Sequence, residues 1–266
     1  MTRPPANPTL RQERRRLELE QRRESRRRSR EVGPPPVWRS PVVLFTVGAL
    51  VIGLAIVVFA LLQRPPDTNP DTSNLEHPLA VVPVELADGR TLGKADAPVT
   101  IDIWSDFQCP ACREFAETLE PSLVTAYIKP GTVRLVYHDA AFQGARGSSP
   151  WDESVESAAG ARCAADQGLF WQMHDWLFAN WNGENKGAFA QDRLRAIASA
   201  AGLNLTTYDS CMAVGDKETA VRAETQAALA AGVDQTPWLI IGGQAFIGVP
   251  SWNDLTAVSD AAAGQQ

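Results

Sequence analysis

The pattern of apolar and polar residues separates a long uncharged segment from a mixture of strands and helices. Residues 42–62 read VVLFTVGALVIGLAIVVFALL, a run without a charged side chain. At 1.5 Å per residue, a helix of this length crosses the roughly 30 Å hydrocarbon core of a bilayer. A buried core helix is the alternative, but such helices seldom contain so long an uninterrupted apolar run. We therefore predict an N-terminal transmembrane helix over residues 42–62.

The flanks of this segment indicate an uncleaved signal anchor and its orientation. A cleaved signal peptide fits poorly, because about forty residues precede the apolar run and QRPPDTNP follows it without a small-x-small cleavage pattern. Residues 1–39 hold twelve Arg and five Glu, whereas only Arg64 lies close on the other side. Basic flanks stay in the cytoplasm. We predict a cytoplasmic tail (1–41) and an extracytoplasmic remainder, hence a single-pass cell-membrane protein.

Charge and composition then limit the functions of each part. The arginine run could bind nucleic acid or anionic lipid, but a short charged tail beside a membrane span usually only sets topology. Beyond Arg39 the chain carries 13 basic and 26 acidic residues, which argues against a nucleic-acid-binding core. Residues 63–78 are rich in Pro, Asp, Asn and Thr and predict a flexible extracytoplasmic linker. A folded domain is expected over residues 79–262.

The periodicity within residues 79–262 predicts an α/β fold. VTIDIWSDF (99–107) is a strand followed directly by an amphipathic helical pattern, and TVRLVYHD (132–139) is a second strand after Pro130-Gly131. This βαβ order predicts parallel strands. An Ala-rich segment over about 152–231 predicts an insertion of four or five helices. WLIIGG and QAFIGV predict a hairpin, followed by a helix capped by Ser251.

Cys109-Pro110-Ala111-Cys112 lies where the first strand passes into the first helix. A sulfur at a helix N-terminus faces unpaired N–H groups, and this favours the thiolate. The thiolate is the attacking species in disulfide exchange, and a second Cys one turn later can resolve the mixed disulfide. Pro110 is tolerated at the first helical position. We predict that Cys109 and Cys112 form a redox-active pair.

Two other interpretations of the C-x-x-C motif remain open. It could form an inert structural bridge or contribute half of a zinc site. Zinc would require a second close pair of ligands, but Cys163 and Cys211 stand forty-eight positions apart and no His lies at ligand spacing beside either. An inert bridge rarely occupies a strand-to-helix turn. We therefore expect redox chemistry, with neither a metal nor an organic cofactor.

The combination of motifs resembles the DsbA-like thiol:disulfide oxidoreductases over most of residues 79–262. It rests on three stretches, APVTIDIWSDFQCPAC, ARCAADQGLFWQMHDWLF and GVDQTPWLIIGGQAFIG. The resemblance implies a thioredoxin-like fold with an inserted α-helical subdomain. It also implies that Thr236-Pro237 is a cis-proline element that lies beside the cysteines and pairs with substrate, and that Pro110 and Ala111 help to shape the active site.

The sequence departs from the family pattern in one respect. Many members carry a buried carboxylate six positions before the first cysteine, and this position is Ile103 here. Strand alternation directs the side chain of Asp102 to the opposite face. Asp106 is nearer to Cys109 and could influence the thiols, although a solvated loop carboxylate is the more natural interpretation. Trp104, Phe107 and Trp238 flank the cysteines or the proline, and any that are exposed could form an apolar patch for unfolded substrate.

Cys163 and Cys211 are expected to form a structural disulfide, because both would lie outside the cytoplasm, where disulfides persist. Two buried free thiols are the alternative.

The sequence therefore predicts a membrane-anchored extracytoplasmic oxidoreductase that introduces disulfides into exported proteins with free cysteines. The resemblance implies reoxidation by a DsbB-like or vitamin K epoxide reductase-like membrane partner. Two alternatives remain: the same scaffold could reduce or isomerise disulfides, or a tethered chaperone module could keep a passive Cys109–Cys112 bridge.

Overall fold

The chain consists of two compact units, residues 1–65 and residues 66–266. The computed structural model describes residues 8–31, 45–54, 70–144 and 151–264. In the first unit, α1 (Pro8–Glu31) and a helical stretch over residues 45–54, here α2, are described. The side chains described in α1 are exposed, and pairs such as Arg16 and Glu20, 3.7 Å apart, stabilise an isolated helix. The arginine-rich tail thus contains a helix that its apolar pattern does not predict.

The predicted membrane span is described only in part. Residues 45–54 are helical, whereas residues 42–44 and 55–62 lie outside the described residues. Within the described ranges, no helix combines the length and the apolar character that crossing a bilayer requires.

A six-stranded sheet forms the centre of the second unit, with strand order β1-β2-β4-β3-β5-β6. The strands are β1 (Ala87–Asp88), β2 (Thr91–Leu92), β3 (Val99–Ser105), β4 (Val133–Asp139), β5 (Trp238–Ile241) and β6 (Gln244–Ile247). β3 and β4 are parallel, as the βαβ pattern predicts, and the other neighbouring pairs are antiparallel. Both central strands alternate buried and half-buried residues, so one face of each packs on the core.

The connection between β3 and β4 is helical throughout most of its length. It contains α3 (Pro110–Glu114) and α4 (Glu120–Leu123), each followed by a π-helical turn, Phe115–Leu119 and Val124–Ile128. The sequence predicts a helix here but not the π turns. π turns are common near functional sites, and the first of these begins three positions after Cys112.

Among the residues that the structure describes between β4 and β5 there are five helices, in agreement with the predicted insertion. They are α5 (Glu153–Ala165), α6 (Phe170–Ala179), α7 (Gln191–Ala200), α8 (Leu205–Val214) and α9 (Asp216–Ala230). A disulfide joins Cys163 in α5 to Cys211 in α8, which is the predicted pairing. Aromatic side chains of α6 extend the core, and Phe170, Trp171 and Phe178 are almost completely buried.

The C-terminal elements follow their sequence signals. β5 and β6 form an antiparallel hairpin around Gly242 and Gly243, which both adopt positive φ angles. α10 (Trp252–Gly264) begins after Ser251, whose hydroxyl accepts a hydrogen bond from the backbone N–H of Asp254 at 3.2 Å. This contact is the expected helix cap.

The prediction of a flexible linker through residue 78 is wrong for its last residues. The side chain of Asn180 accepts a hydrogen bond from the N–H of Glu76 at 3.0 Å and donates one to its carbonyl oxygen at 2.9 Å. His77 packs against Trp176, with ring centroids 4.9 Å apart, and Leu75 contacts the core. The polar composition of this segment does not predict that it packs on the domain, because hydrogen bonds from its backbone to a side chain far away in the sequence leave no local pattern.

The Cys163–Cys211 disulfide closes a chain segment of forty-eight residues. Replacing both cysteines by Ala is expected to lower the free energy of unfolding by about 2–4 kcal/mol, because the unfolded chain regains loop entropy. Urea titration of the two proteins measures this difference. Cys109 should keep its reactivity toward thiol reagents in the variant, and an unchanged unfolding midpoint would show that the bridge does not stabilise the insertion.

Candidate functional site

The cysteine pair lies at the junction of β3 and α3. Cys109 is the N-cap residue of α3 with extended backbone angles, and Pro110 occupies the first turn, where its missing N–H leaves no unmade helical bond. The N–H of Arg113 donates to the carbonyl oxygen of Cys109 at 3.1 Å. Both cysteines are free thiols, and both are buried. Pro110 beside them is exposed, so the pair lies just below the protein surface on this side.

Hydrogen bonds stabilise the thiolate form of Cys109. The thiol of Cys112 makes the largest contribution, and burial opposes it. The side chain of Thr236 and the backbone N–H groups of Cys112 and Ala111 act in the same direction as the Cys112 thiol. Together they lower the pKa of Cys109 to about 6. A large fraction of Cys109 is therefore a thiolate at neutral pH, as reactive cysteines at helix N-termini generally are.

Cys112 has the opposite character. Only 1% of its surface is exposed, and burial raises its pKa well above the ordinary value. The neighbouring Cys109 also raises this pKa, while hydrogen bonding by Ser105 lowers it to a smaller extent. The pair thus consists of a nucleophilic sulfur at Cys109 and a protonated sulfur at Cys112, one helical turn later in the chain.

The Thr236–Pro237 peptide bond is cis and lies opposite Cys109. The thiol of Cys109 donates to the carbonyl oxygen of Thr236 at 3.3 Å, across 127 residues of sequence. Pro237 immediately precedes β5, which pairs with β3. The structure therefore brings the cysteine pair and the Thr236–Pro237 element together.

Asp106 is buried rather than solvated, and the interpretation of it as a loop carboxylate in water is wrong. Its Oδ1 accepts hydrogen bonds from the Ser154 hydroxyl at 2.6 Å and from the N–H of Gln108 at 2.8 Å. Its Oδ2 accepts from the N–H of Gln143 at 2.8 Å. Burial raises its pKa although these bonds act to lower it. Asp106 thus fixes the turn that carries Cys109 by satisfying donors from three segments.

Gln108 connects the turn before Cys109 to the helical insertion, a link that sequence reasoning missed. Its side-chain amide donates to Glu153 at 3.3 Å and accepts from the N–H of Asn185 at 2.6 Å. The indole N–H of Trp181 donates to its carbonyl oxygen at 3.0 Å. Glu153 accepts two further backbone N–H groups, from Gly187 and Phe189. The loop after α6 is thereby attached to the turn that carries Cys109.

The predicted aromatic patch is only partly available. Phe107 is 1% exposed and packs on Tyr137 and Phe178, so it belongs to the core and not to a substrate surface. Trp104 and Trp238 are half-buried partners across β3 and β5. Only these two of the three candidate aromatic side chains reach the surface.

Ile103 occupies the buried face of β3, and Asp102 lies on the other face, as alternation predicts. Asp102 binds Nε2 of His138 at 2.8 Å, and Glu224 binds Nδ1 at 3.2 Å. Burial acts to lower the pKa of His138, but these hydrogen bonds outweigh it and raise the pKa to about 9. Asp102 is thus the partner of an imidazolium and does not replace the missing carboxylate.

One group among the described residues has ligand atoms suited to a metal ion. Atoms of Glu120, His174 and Asp175 lie within 4.8 Å of one another. Nδ1 of His174 contacts Asp175 at 3.0 Å, and Nε2 lies 3.8 Å from Glu120. Burial raises the pKa of Glu120 to about 7, and the group as it stands is a buried ion-paired cluster.

The fold and the site define a protein of the thioredoxin class with a helical insertion, a dithiol at the start of α3 and an adjacent cis-proline. A family model described as thioredoxin matches residues 85–261. The chain therefore belongs to this thioredoxin family.

Similarity to individual proteins extends over parts of the chain. A probable disulfide bond formation protein D of Bacillus cereus is 34% identical over 109 residues, which are 41% of this chain and 48% of that protein. The Na(+)/H(+) antiporter NhaA 1 of Salinispora arenicola is 30% identical over 187 residues, 69% of this chain and 26% of that protein. The chain thus spans about half or less of the length of these curated relatives.

Solved structures agree with the fold. The crystal structure of oxidised BdbD from Bacillus subtilis superimposes with a TM-score of 0.59 at 17% identity, covering 72% of this chain and 100% of that one.

The reactivity of Cys109 should reveal its low pKa. We expect the rate of its alkylation by iodoacetamide to rise with pH through a midpoint of about 6. Cys112→Ala should move this midpoint well toward the ordinary value, because the hydrogen bond from the Cys112 thiol contributes most to the shift. Thr236→Val should move it less. Equal midpoints in the parent protein and in Cys112→Ala would contradict this assignment of the cause.

Proposed function

We propose that this protein is a membrane-anchored extracytoplasmic thiol:disulfide oxidoreductase that introduces disulfide bonds into exported proteins. The observation that carries the proposal is the asymmetric cysteine pair, in which the pKa of Cys109 is lowered to about 6 and that of Cys112 is raised by burial. Such asymmetry suits a pair in which Cys109 exchanges disulfides with other proteins and the buried Cys112 reacts only with Cys109.

The exchange begins with the Cys109–Cys112 disulfide. A client thiolate attacks the Cys109 sulfur, and Cys112 leaves as a thiolate that takes up a proton. A second client thiolate then attacks the client sulfur of the mixed disulfide and expels Cys109. The client gains a disulfide, and the protein gains two electrons and keeps both of its sulfurs as thiol or thiolate. A low pKa makes Cys109 a good leaving group in the second step.

The same pKa supports the proposed direction of exchange. Stabilising the thiolate of Cys109 stabilises the reduced pair and thereby makes the disulfide form a stronger oxidant. The names of the Bacillus relatives point in the same direction, since they are disulfide bond formation proteins. Reoxidation by a DsbB-like or vitamin K epoxide reductase-like membrane protein would complete the cycle.

Clients would bind along the Thr236–Pro237 element. The backbone before β5 is next to Cys109, and an extended peptide can pair with such an edge while its cysteine meets the sulfur. Half-buried Trp104 and Trp238 supply apolar surface close to it. The anchoring part of the proposal depends on the uncharged residues 42–62 and on the arginines before them.

The reduction potential of the Cys109/Cys112 pair tests the direction. The full chain is equilibrated against glutathione buffers, and the oxidised fraction is read from tryptophan fluorescence or alkylation. Reduction potentials of such dithiol proteins run from about −270 mV for reductants to about −120 mV for strong oxidants. We expect a potential nearer to the oxidant value. A value near the lower limit would make the protein a reductase, and the proposed direction would be wrong.

Trapping separates the oxidoreductase from a chaperone module with a passive bridge. Cys112→Ala should accumulate mixed disulfides with extracytoplasmic proteins through Cys109, because the resolving thiol is missing. These adducts should be recovered in the membrane fraction and disappear in the Cys109→Ala/Cys112→Ala variant. If clients bind without forming mixed disulfides, the protein is a chaperone module with a passive Cys109–Cys112 bridge, and the proposed oxidoreductase activity is wrong.

A further inference from the structure

The arginines of α1 are concentrated on one side of the helix. A helix turns by about 100° per residue, so positions four, seven and eleven residues apart share a face. Arg15, Arg22 and Arg26 have this spacing, and Leu19 lies on the same face between them. A sector of about 140°, here called the basic face, contains six arginines and no glutamate, namely Arg15, Arg16, Arg22, Arg23, Arg26 and Arg27.

The acidic residues of α1 lie outside the basic face. Glu13, Glu20 and Glu24 fall within about 40° of one another, next to one border of the basic face. Glu18 lies beyond the other border. The positive and negative charges of α1 are therefore separated around the helix axis, which the order of residues along the chain does not show.

The charges of the basic face are largely unpaired. The one ion pair among the side chains described in α1 joins Arg16 to Glu20 at 3.7 Å. Arg22 lies four positions before Arg26, and like charges at this spacing destabilise a helix. The side chains of residues 12–29 are exposed, so the described part of the chain does not offset this repulsion. A negatively charged surface would stabilise α1 by supplying the missing counter-charge.

The chain keeps α1 close to the predicted membrane span. Ten residues, 32–41, separate the end of α1 from residue 42, and ten residues reach at most about 36 Å. Trp38 stands four positions before the apolar run, and Trp is enriched at membrane–water interfaces. The cytoplasmic leaflet carries anionic lipids and attracts basic segments beside a span. α1 is itself about 36 Å long and can lie along this surface.

We propose that the basic face of α1 binds the anionic lipid headgroups of the cytoplasmic leaflet, so that the helix lies flat on the membrane. This binding rests on the membrane anchor of the proposed function. Leu19 is the one apolar side chain of the basic face, so the helix stays at the level of the headgroups and salt weakens its binding. A nucleic acid is the other polyanion to consider, but the anchor favours lipid by giving it a high local concentration.

Two exposed leucines provide a matched pair of probe positions. Leu19 lies in the basic face and is 59% exposed, whereas Leu17 is 61% exposed and points about 160° away from it. The full chain with Cys109→Ala/Cys112→Ala receives either Leu19→Cys or Leu17→Cys and a nitroxide spin label. It is reconstituted in nanodiscs of phosphatidylcholine alone or mixed with phosphatidylglycerol. Electron paramagnetic resonance then measures the collision of each label with a water-soluble nickel complex.

The label at Leu19 should become at least about twofold less accessible in the anionic nanodiscs than in the zwitterionic ones. The label at Leu17 should change little, because its side of the helix remains in water. Molar sodium chloride should reverse the protection at Leu19, since it shortens the Debye length to about 3 Å.

Two pairs of substitutions remove equal charge from different sides of α1. Arg22→Gln/Arg26→Gln changes the basic face, whereas Arg14→Gln/Arg28→Gln changes positions outside it. Each arginine at an anionic surface alters the ratio of bound to free helix about fivefold, so the first pair should lower this ratio about 25-fold. The second pair should have a much smaller effect. A charged tail that only sets topology predicts equal effects of the two pairs.

The outcomes separate this binding from the anchor. Equal accessibility of the Leu19 label in both lipids, or equal effects of the two pairs of substitutions, overturns the role of the basic face. Protection of Leu19 that requires added RNA also overturns it and assigns α1 to nucleic acid. A full chain that does not copurify with nanodiscs of either composition refutes the membrane anchor of the proposed function, and the lipid binding with it.

Discussion

Parallel, in-register pairing of β3 with β4 is the constraint on which the rest of the site depends. It brings the ends of both strands to one edge of the sheet, so the turn that carries Cys109 begins beside Asp139. β5 pairs with the other side of β3 and brings the Thr236 carbonyl oxygen to 3.3 Å from the Cys109 sulfur. A shift of one residue in either pairing would turn the inward side chains to the opposite face and separate these groups.

Burial of ionisable groups distinguishes the two sulfurs chemically. Cys109 lies where helix N–H groups and a neighbouring thiol favour negative charge, whereas Cys112 lies one turn deeper in apolar surroundings. Asp106 is buried too, yet it holds the turn because it accepts three hydrogen bonds. Loss of water thus keeps Cys112 protonated, whereas at Cys109 and Asp106 hydrogen bonds act against the effect of burial on the pKa.

Local patterns were sufficient to predict β3, β4, the intervening helix, the helical insertion and the final hairpin. The α/β fold could also be predicted, because apolar periodicity and turn residues are recognised within short stretches of sequence. β1 and β2 are two residues each, too short for any period, and only the pairing of β1 with β2 and of β2 with β4 defines them. The contacts of Asp139 with Arg90 and Arg162, and those of Gln108, were missed for another reason. Their partners lie tens of residues away, so nothing in the neighbouring sequence identifies them.

The Cys163–Cys211 disulfide occurs in the same protein as the reactive Cys109 thiolate, which could in principle attack it and rearrange the disulfide. Cys163 is 1% exposed, so an incoming sulfur cannot approach it, and the half-buried Cys211 is the accessible end. Attack there must expel Cys163 into apolar surroundings, where a thiolate is a poor leaving group. The bridge is therefore protected kinetically from attack by the Cys109 of other copies, so this protein at high concentration would not rearrange its own disulfide.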